Sequence, residues 1–131
     1  SNHRLIRSVE PLLKNSTQPQ ASFLSSTVAN EARPFWGAYA ISKASLQHMV
    51  KIWSMENQNN NLSISIINPG KTNTKMRKQA MPGENVDSLQ NPKEVAEKIK
   101  DIVTSNKVYK GEVINLNRVD FDYSSIITGS K

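Results

Sequence analysis

The sequence of 131 residues contains no cysteine, which excludes disulfide bonds, thiolate metal sites and cysteine nucleophiles. Glycine is also scarce, because the chain has five glycines and none lies near another. Loops that bind a dinucleotide pyrophosphate need closely spaced glycines between a strand and a helix. These residues therefore do not supply a phosphate-binding loop of that type.

The sequence also lacks a long apolar run. No stretch approaches the ~20 residues that a transmembrane helix requires, and the amino terminus has no basic-then-apolar signal pattern. We therefore expect a soluble, cytoplasmic protein without membrane contact. The formal net charge is +6, but lysines and arginines are spread over the helical segments and form no dense block. This spread favours a solvated basic surface, so no nucleic-acid partner is expected.

Hydrophobic periodicity predicts alternating helices and strands within a single domain. The alternation favours a parallel α/β sheet covered by helices. A proline at position 11 is expected to kink or shorten the first helix. The predicted helices are Leu5–Lys14, Ala38–Glu56 and a third that begins at Pro92 behind the N-cap Asn91, and the predicted strands are Ala21–Ser25, Leu62–Ile67 and Glu112–Leu116.

Polar residues follow the first two predicted strands. Ser25 and Ser26 come after one, and the run 68–70, Asn-Pro-Gly, comes after the next. Because parallel sheets bind ligands beyond the carboxyl ends of their strands, this edge is where chemistry is expected. His3 and His48 are each isolated from a second ligand at metal-binding spacing, so no metal site is predicted.

Tyr39 and Lys43 lie four residues apart in the longest predicted helix, so their side chains share one face. An ammonium ion at ~5 Å would stabilise a tyrosinate by roughly 3 kcal/mol at an effective dielectric near 20. By itself such a pair usually marks an anchored ring beside a solvated ammonium. Here Ser26 lies thirteen residues before Tyr39, and Thr74 lies four residues beyond Gly70.

Together these residues resemble the short-chain dehydrogenase/reductase family. That pattern has a serine at a strand end, Tyr-x-x-x-Lys on the next helix, and Pro-Gly followed by threonine after the next strand. The spacing to Tyr39 selects Ser26 over Ser25. The likeness extends over nearly the whole chain, and it implies a partial Rossmann-like, doubly wound parallel sheet with flanking helices. Residues 1–131 would be the carboxyl-terminal catalytic half, without the amino-terminal nucleotide-binding half.

The resemblance implies hydride transfer between NAD or NADP and a small carbonyl or alcohol substrate. Tyr39 would exchange a proton with the substrate oxygen, Ser26 would orient that oxygen, and Lys43 would assist the tyrosine and bind the nicotinamide ribose. Tyr39 would also contact the cofactor. The carboxamide end of the cofactor would lie against Pro69, Gly70, Thr72 and Thr74.

Residues 75–89 would form the variable substrate loop, with Met76 and Met81 as adaptable apolar contacts. Phe35 and Trp36 are expected to pack at the helix start, and lining a substrate entrance is the alternative. We expect the isolated chain to be inactive, to have the missing half chain as a possible partner, and to form a homo-oligomer through the first two helices. The alternative function is a non-enzymatic binding or assembly module that retains the fold.

Overall fold

The computed structural model describes residues 2–117. Within this range the chain forms a three-stranded sheet with helices packed on it. Short 3-10 turns at Thr27–Ala29 and Val86–Ser88 complete the regular structure. In chain order the elements are α1 (Asn2–Lys14), β1 (Gln20–Leu24), α2 (Gly37–Glu56), β2 (Ser63–Asn68), α3 (Lys75–Ala80), α4 (Pro92–Thr104) and β3 (Lys110–Asn115).

The predicted α/β order is confirmed, with two differences in the helices. α1 runs through Pro11 to Lys14, so the expectation that the proline shortens this helix is wrong. Pro11 lies in the last turn of α1. Its missing N–H therefore costs one hydrogen bond close to the residue where the helix ends. The second difference is α3, which lies inside the predicted substrate loop. Among residues 2–117, no helix has the length and apolarity needed to cross a bilayer.

The strands are parallel and lie in the order β1-β2-β3. All six residues of the central strand β2 are buried. Ile64 and Ile66 pack with α1 and α2, whereas Ile67 packs with α4. Side chains alternate between the faces of a strand, so this division means that helices cover both faces of the sheet. The expected doubly wound architecture is therefore confirmed for the described part of the chain.

Parallel pairing brings the carboxyl ends of the strands to one edge. The amide of Ser25 donates to the carbonyl oxygen of Ile67 at 2.8 Å, and the amide of Leu116 donates to that of Asn68 at 2.9 Å. These bonds extend the ladder one residue beyond β1 and β3. The segments that follow β1 and β2 therefore leave the sheet side by side.

Lys110 joins the start of β3 to the end of α2. Its ammonium donates to the backbone carbonyls of Asn57 at 3.0 Å, Asn60 at 2.7 Å and Leu62 at 3.2 Å. An ammonium group has three donors, so all three are used. A positive charge also offsets the partial negative charge at the carboxyl end of a helix. Lys110 thus holds the turn between α2 and β2.

Replacing Lys110 with methionine is expected to lower the free energy of unfolding by about 1–3 kcal/mol, because the charged hydrogen bonds are lost while the apolar stem is kept. Urea denaturation of the chain measures the change. Lys100→Met is the matched control, since this exposed lysine forms a surface ion pair with Glu97 at 3.2 Å and its loss should cost less than about 0.5 kcal/mol. Equal urea midpoints for the two variants would contradict the role given to Lys110.

Candidate active site

Two serines follow β1, and the structure gives them different surroundings. The Ser25 side chain is buried, and its hydroxyl accepts a hydrogen bond from the Gln47 amide nitrogen at 2.8 Å. Ser26 is half-buried and extended, with φ −155° and ψ 157°. Within residues 2–117 its hydroxyl has no hydrogen-bond partner. Ser25 thus serves the contact between sheet and helix, and Ser26 has a hydroxyl available to a ligand.

Tyr39 and Lys43 lie in the first two turns of α2. The Lys43 ammonium lies 5.8 Å from the centroid of the Tyr39 ring. It also donates a hydrogen bond of 3.0 Å to the carbonyl oxygen of Leu24, the last residue of β1. This bond fixes the position of the ammonium relative to the sheet edge. The arrangement places a positive charge beside the phenol at the edge where Ser26 leaves the sheet.

The turn that precedes α2 places one aromatic ring, that of Trp36, against this pair. Trp36 meets Tyr39 edge to face, with ring centroids 5.7 Å apart. The expected packing of Trp36 is thus present. The same expectation is wrong for Phe35, which is fully exposed and has a left-handed backbone with φ 67°. The left-handed turn directs the Phe35 side chain into solvent, and such a conformation in an aromatic residue stores about 1–3 kcal/mol of strain.

The turn after β2 depends on Gly70. Its amide donates to the side-chain oxygen of Asn68 at 3.2 Å, and its φ is +76°. A Cβ atom at this position would lie 2.7 Å from side-chain atoms of Asn117 and Gln90. Gln90 itself donates to the carbonyl oxygen of Pro69 at 2.7 Å. The backbone therefore needs glycine here both for its conformation and for the close approach of neighbouring side chains.

The two threonines predicted to hold the cofactor lie beyond this turn. Thr72 pairs with Gln90 in an isolated parallel bridge, and its hydroxyl donates to the Gly70 carbonyl at 3.4 Å. Thr74 caps α3, because its hydroxyl oxygen accepts a hydrogen bond from the Arg77 amide at 3.2 Å. A hydroxyl that accepts in this way keeps its own proton for a further acceptor. Thr74 is exposed.

Glu84 organises the loop that contains α3. Its carboxylate receives two hydrogen bonds from Arg77, at 2.6 and 2.7 Å, and one from Lys71 at 3.2 Å. The bond from Arg77 is the main reason that the pKa of Glu84 falls to about 2, with Lys71 adding to the effect. The same bond raises the pKa of Arg77, and Tyr39 makes a smaller contribution in that direction. The Arg77 guanidinium lies 6.0 Å from the centroid of the Trp36 ring.

A cavity of about 430 Å³ lies at this edge. Ser26 and Gly70 line it, whereas Tyr39 and Lys43 lie beside it and are linked to it through Trp36. Met76 and Met81 are exposed and do not line it. Further polar and charged side chains that line it include Arg33, Asn68, Lys71, Arg77, Gln90, Lys98 and Asn117.

Most of these additional residues give no local signal in the sequence. Arg77 and Glu84 are seven residues apart and come together only because the loop folds back on α3. Gln90 directly precedes the predicted capping residue Asn91, but a glutamine at that position does not predict contact with Pro69. Asn68 belongs to a turn signal in the sequence, but that signal does not predict its hydrogen bond with the Gly70 amide.

Residues 2–85 match the sequence profile of the short chain dehydrogenase family, and the chain belongs to this family. The oxidoreductase YciK of Escherichia coli K12 is 37% identical over 91 residues, which cover 70% of this chain and 36% of YciK. A short chain dehydrogenase from Salmonella enterica serovar Typhi is 30% identical, with a TM-score of 0.83. A short chain dehydrogenase from Shigella flexneri, complexed with NADP, has the same identity and TM-score.

These comparisons confirm the resemblance and the fold inferred from the sequence. They also define how much of the relatives is represented. The aligned region covers 89% of this chain and 49% of each of the two solved structures. The chain therefore spans about half the length of the solved relatives that it matches.

The ion pair in the loop predicts a titration that can be measured directly. The folded-state pKa of Glu84 is about 2, below its ordinary value of 4.5, so the pairing is complete above about pH 4.5 and is lost as the pH falls through 2. The carboxyl carbon resonance of Glu84, followed by NMR, should have its midpoint near pH 2. Arg77→Met should move that midpoint towards 4.5, and a wild-type midpoint already near 4.5 would contradict the pairing.

Proposed function

We propose that this chain provides the catalytic half of an oxidoreductase that transfers hydride between NAD(P)(H) and a small carbonyl or alcohol substrate. The observation that carries the proposal is the position of Lys43. Its ammonium is fixed by the Leu24 carbonyl at 3.0 Å and lies 5.8 Å from the Tyr39 ring, at the edge of the sheet where ligands bind.

Three side chains have roles in the proposed reaction. In the reducing direction Tyr39 gives its hydroxyl proton to the substrate oxygen, and in the oxidising direction it takes that proton back. The hydroxyl of Ser26, which has no partner within residues 2–117, donates a hydrogen bond to the same oxygen and orients it. Lys43 keeps a positive charge beside the tyrosine while the proton moves. When bound, the nicotinamide supplies or accepts the hydride.

The described residues fit one end of a nicotinamide dinucleotide. Lys43 and the Thr74 hydroxyl are donors suited to ribose and carboxamide oxygens, and the Pro69–Gly70 turn, followed by Thr72, gives backbone groups at the same edge. NADP is bound in the Shigella structure, which supports NADP as the cofactor to test first. No closely spaced glycines occur in the sequence, so the pyrophosphate and adenine require residues from outside these 131.

The sheet offers a place for such residues. Within the described range the outer edge of β1 has no partner strand, because the order is β1-β2-β3. Leu24, at the end of β1, is half exposed. An unpaired strand edge is a ready template for another strand. We propose that an amino-terminal nucleotide-binding half pairs with this edge and completes the cofactor site, and that the 131 residues alone are inactive.

The reaction is tested by co-expressing this chain with the amino-terminal half of YciK and following NADPH oxidation with a panel of aldehydes and ketones. The co-purified pair should turn over at least one of them, and the chain alone should not. Tyr39→Phe should lower kcat/KM by roughly 10²–10⁴-fold, because positioned acid–base catalysis is worth that much. Tyr109→Phe is the control, since this buried tyrosine packs with α4, away from the edge.

Equal kcat/KM values for the complexes that carry Tyr39→Phe and Tyr109→Phe would overturn the assignment of Tyr39 as the proton donor. A co-purified pair that binds NADPH but reduces no carbonyl would instead favour a binding or assembly module. Turnover by the 131 residues alone would refute the requirement for a second half.

The α1 and α2 surface supports a homo-oligomer. A groove of about 880 Å³ runs between the two helices, lined by residues of both. Exposed apolar side chains on these helices include Leu5, Leu12, Ile41, Ile52 and Met55. Exposed apolar side chains beside a groove are a feature of protein–protein contact surfaces, so we propose that a second copy of the chain packs here.

Sedimentation at micromolar concentration should detect a dimer, and Ile52→Glu should shift the equilibrium to the monomer, because Ile52 lines the groove and is 45% exposed. Val103→Glu is the matched control on α4, at 38% exposure and outside the groove. A wild-type monomer, or equal effects of the two variants, would contradict this interface.

A further inference from the structure

We infer that the substrate carries an anionic group, a carboxylate or a phosphate, which binds Arg77 at the cavity beside Tyr39. This inference rests on the proposed function and specifies its substrate class. Three observations support it: the charge of the cavity wall, the unused donors of Arg77, and the position of Arg77 relative to the tyrosine.

The cavity wall is cationic. Among the described residues that line it, four carry a positive charge and none carries a negative charge. The positive residues are Arg33, Lys71, Arg77 and Lys98. Two loop or turn segments, α3 and α4 contribute one each, so the charge surrounds the cavity instead of lying along one helix face. A concave site of one charge sign concentrates ligands of the opposite sign.

The Glu84 carboxylate does not neutralise this wall. Glu84 is shared by Lys71 and Arg77, so one negative charge serves two positive ones. The Glu84 side chain is 12% exposed and lies outside the set of cavity-lining residues. Arg33 pairs with Glu31 at 2.8 Å on the exposed surface, where such pairs are weak. Even without Lys98, the described lining has three positive charges against the two carboxylates of Glu84 and Glu31, so a net positive charge remains among these residues.

Arg77 has donors to spare. Its two hydrogen bonds to Glu84 come from Nε and from one terminal nitrogen. A guanidinium has five N–H donors, and within residues 2–117 the second terminal nitrogen has no acceptor. Glu84 and the Trp36 ring hold the guanidinium plane in place. A planar fork that is already ordered loses little entropy when it binds an oxyanion, and it matches carboxylate and phosphate geometry.

Trp36 connects Arg77 to the reacting end of the site. The Arg77 guanidinium lies 6.0 Å from the Trp36 ring, and the Trp36 ring lies 5.7 Å from that of Tyr39. A substrate anion bound to Arg77 would therefore lie on the other side of the Trp36 ring from Tyr39. The 430 Å³ cavity suits a small molecule that has its carbonyl and its anion at opposite ends.

Anion binding is tested on the 131-residue chain with acetate and inorganic phosphate at constant ionic strength. The backbone amide NMR signals of Lys71 and Gln90, which line the cavity and are present in every variant, should shift and saturate with a Kd of roughly 1–10 mM, as one charged contact allows. Arg77→Lys should weaken binding about tenfold, because the fork is lost. Glu84→Gln should strengthen it several-fold, because the competing carboxylate is gone. Lys78→Met, an exposed change on the same helix, should leave it unaltered.

Phosphate also occurs in the cofactor, so a second arm uses nicotinamide mononucleotide. Acetate should still bind in its presence if the site belongs to the substrate. Displacement of acetate by the mononucleotide would assign the site to the cofactor and overturn the inference. Weaker binding to Glu84→Gln, or equal losses in Arg77→Lys and Lys78→Met, would also overturn it.

The kinetic experiment uses this chain co-purified with the amino-terminal half of YciK. Its substrates are two matched aldehydes, 4-carboxybenzaldehyde and benzaldehyde. The kcat/KM should favour the carboxylated aldehyde at least tenfold, and Arg77→Met should remove that preference, because it lowers kcat/KM for the carboxylated aldehyde more than for benzaldehyde. Equal turnover of both aldehydes would refute the anionic substrate and leave the reaction standing. Saturable acetate binding with no turnover of any carbonyl would count for the anion site and against the proposed reaction.

Discussion

The central strand β2 is buried on both faces, and most of the structure depends on this constraint. A strand in that position must be apolar on both sides, and it has to be covered by helices on both sides. Ile66 faces α1 and α2, and its neighbour Ile67 faces α4. The parallel register with β1 and β3 then determines which residues emerge together at the carboxyl edge. Ser26 and the turn at Gly70 share one cavity because of that register.

Much of this arrangement could be read from local patterns in the sequence. A β-branched run marked β2, helical spacing marked α2, and the cap at Asn91 followed by proline marked α4. Each of these signals lies within one element. The Tyr39–Lys43 contact is also predicted by a local pattern, because helical spacing alone brings residues four apart onto one face.

The features that sequence reasoning missed depend on contacts between distant segments or on very short elements. α3 has six residues, which are too few for a periodic pattern. The one local sign of this helix is the capping residue Thr74. The pairing of Glu84 with Arg77 and Lys71 requires the loop to fold back. Phe35 adopts a left-handed backbone that its residue type disfavours, so no propensity indicates it. The proposed selectivity of the site lies mainly in this group of contacts.

Because the Lys43 ammonium donates to the Leu24 carbonyl oxygen, its position depends on the register of β1 in the sheet. Moving β1 by a single residue would displace that carbonyl by about 3.3 Å and would reverse which face each side chain occupies. The ammonium would then lose its anchor, although the helices would keep their shape. A protein with β1 in the wrong register would thus keep its helical content, but its site would lack the correctly placed ammonium. Quality control of this protein should therefore monitor the Lys43 environment in addition to secondary structure.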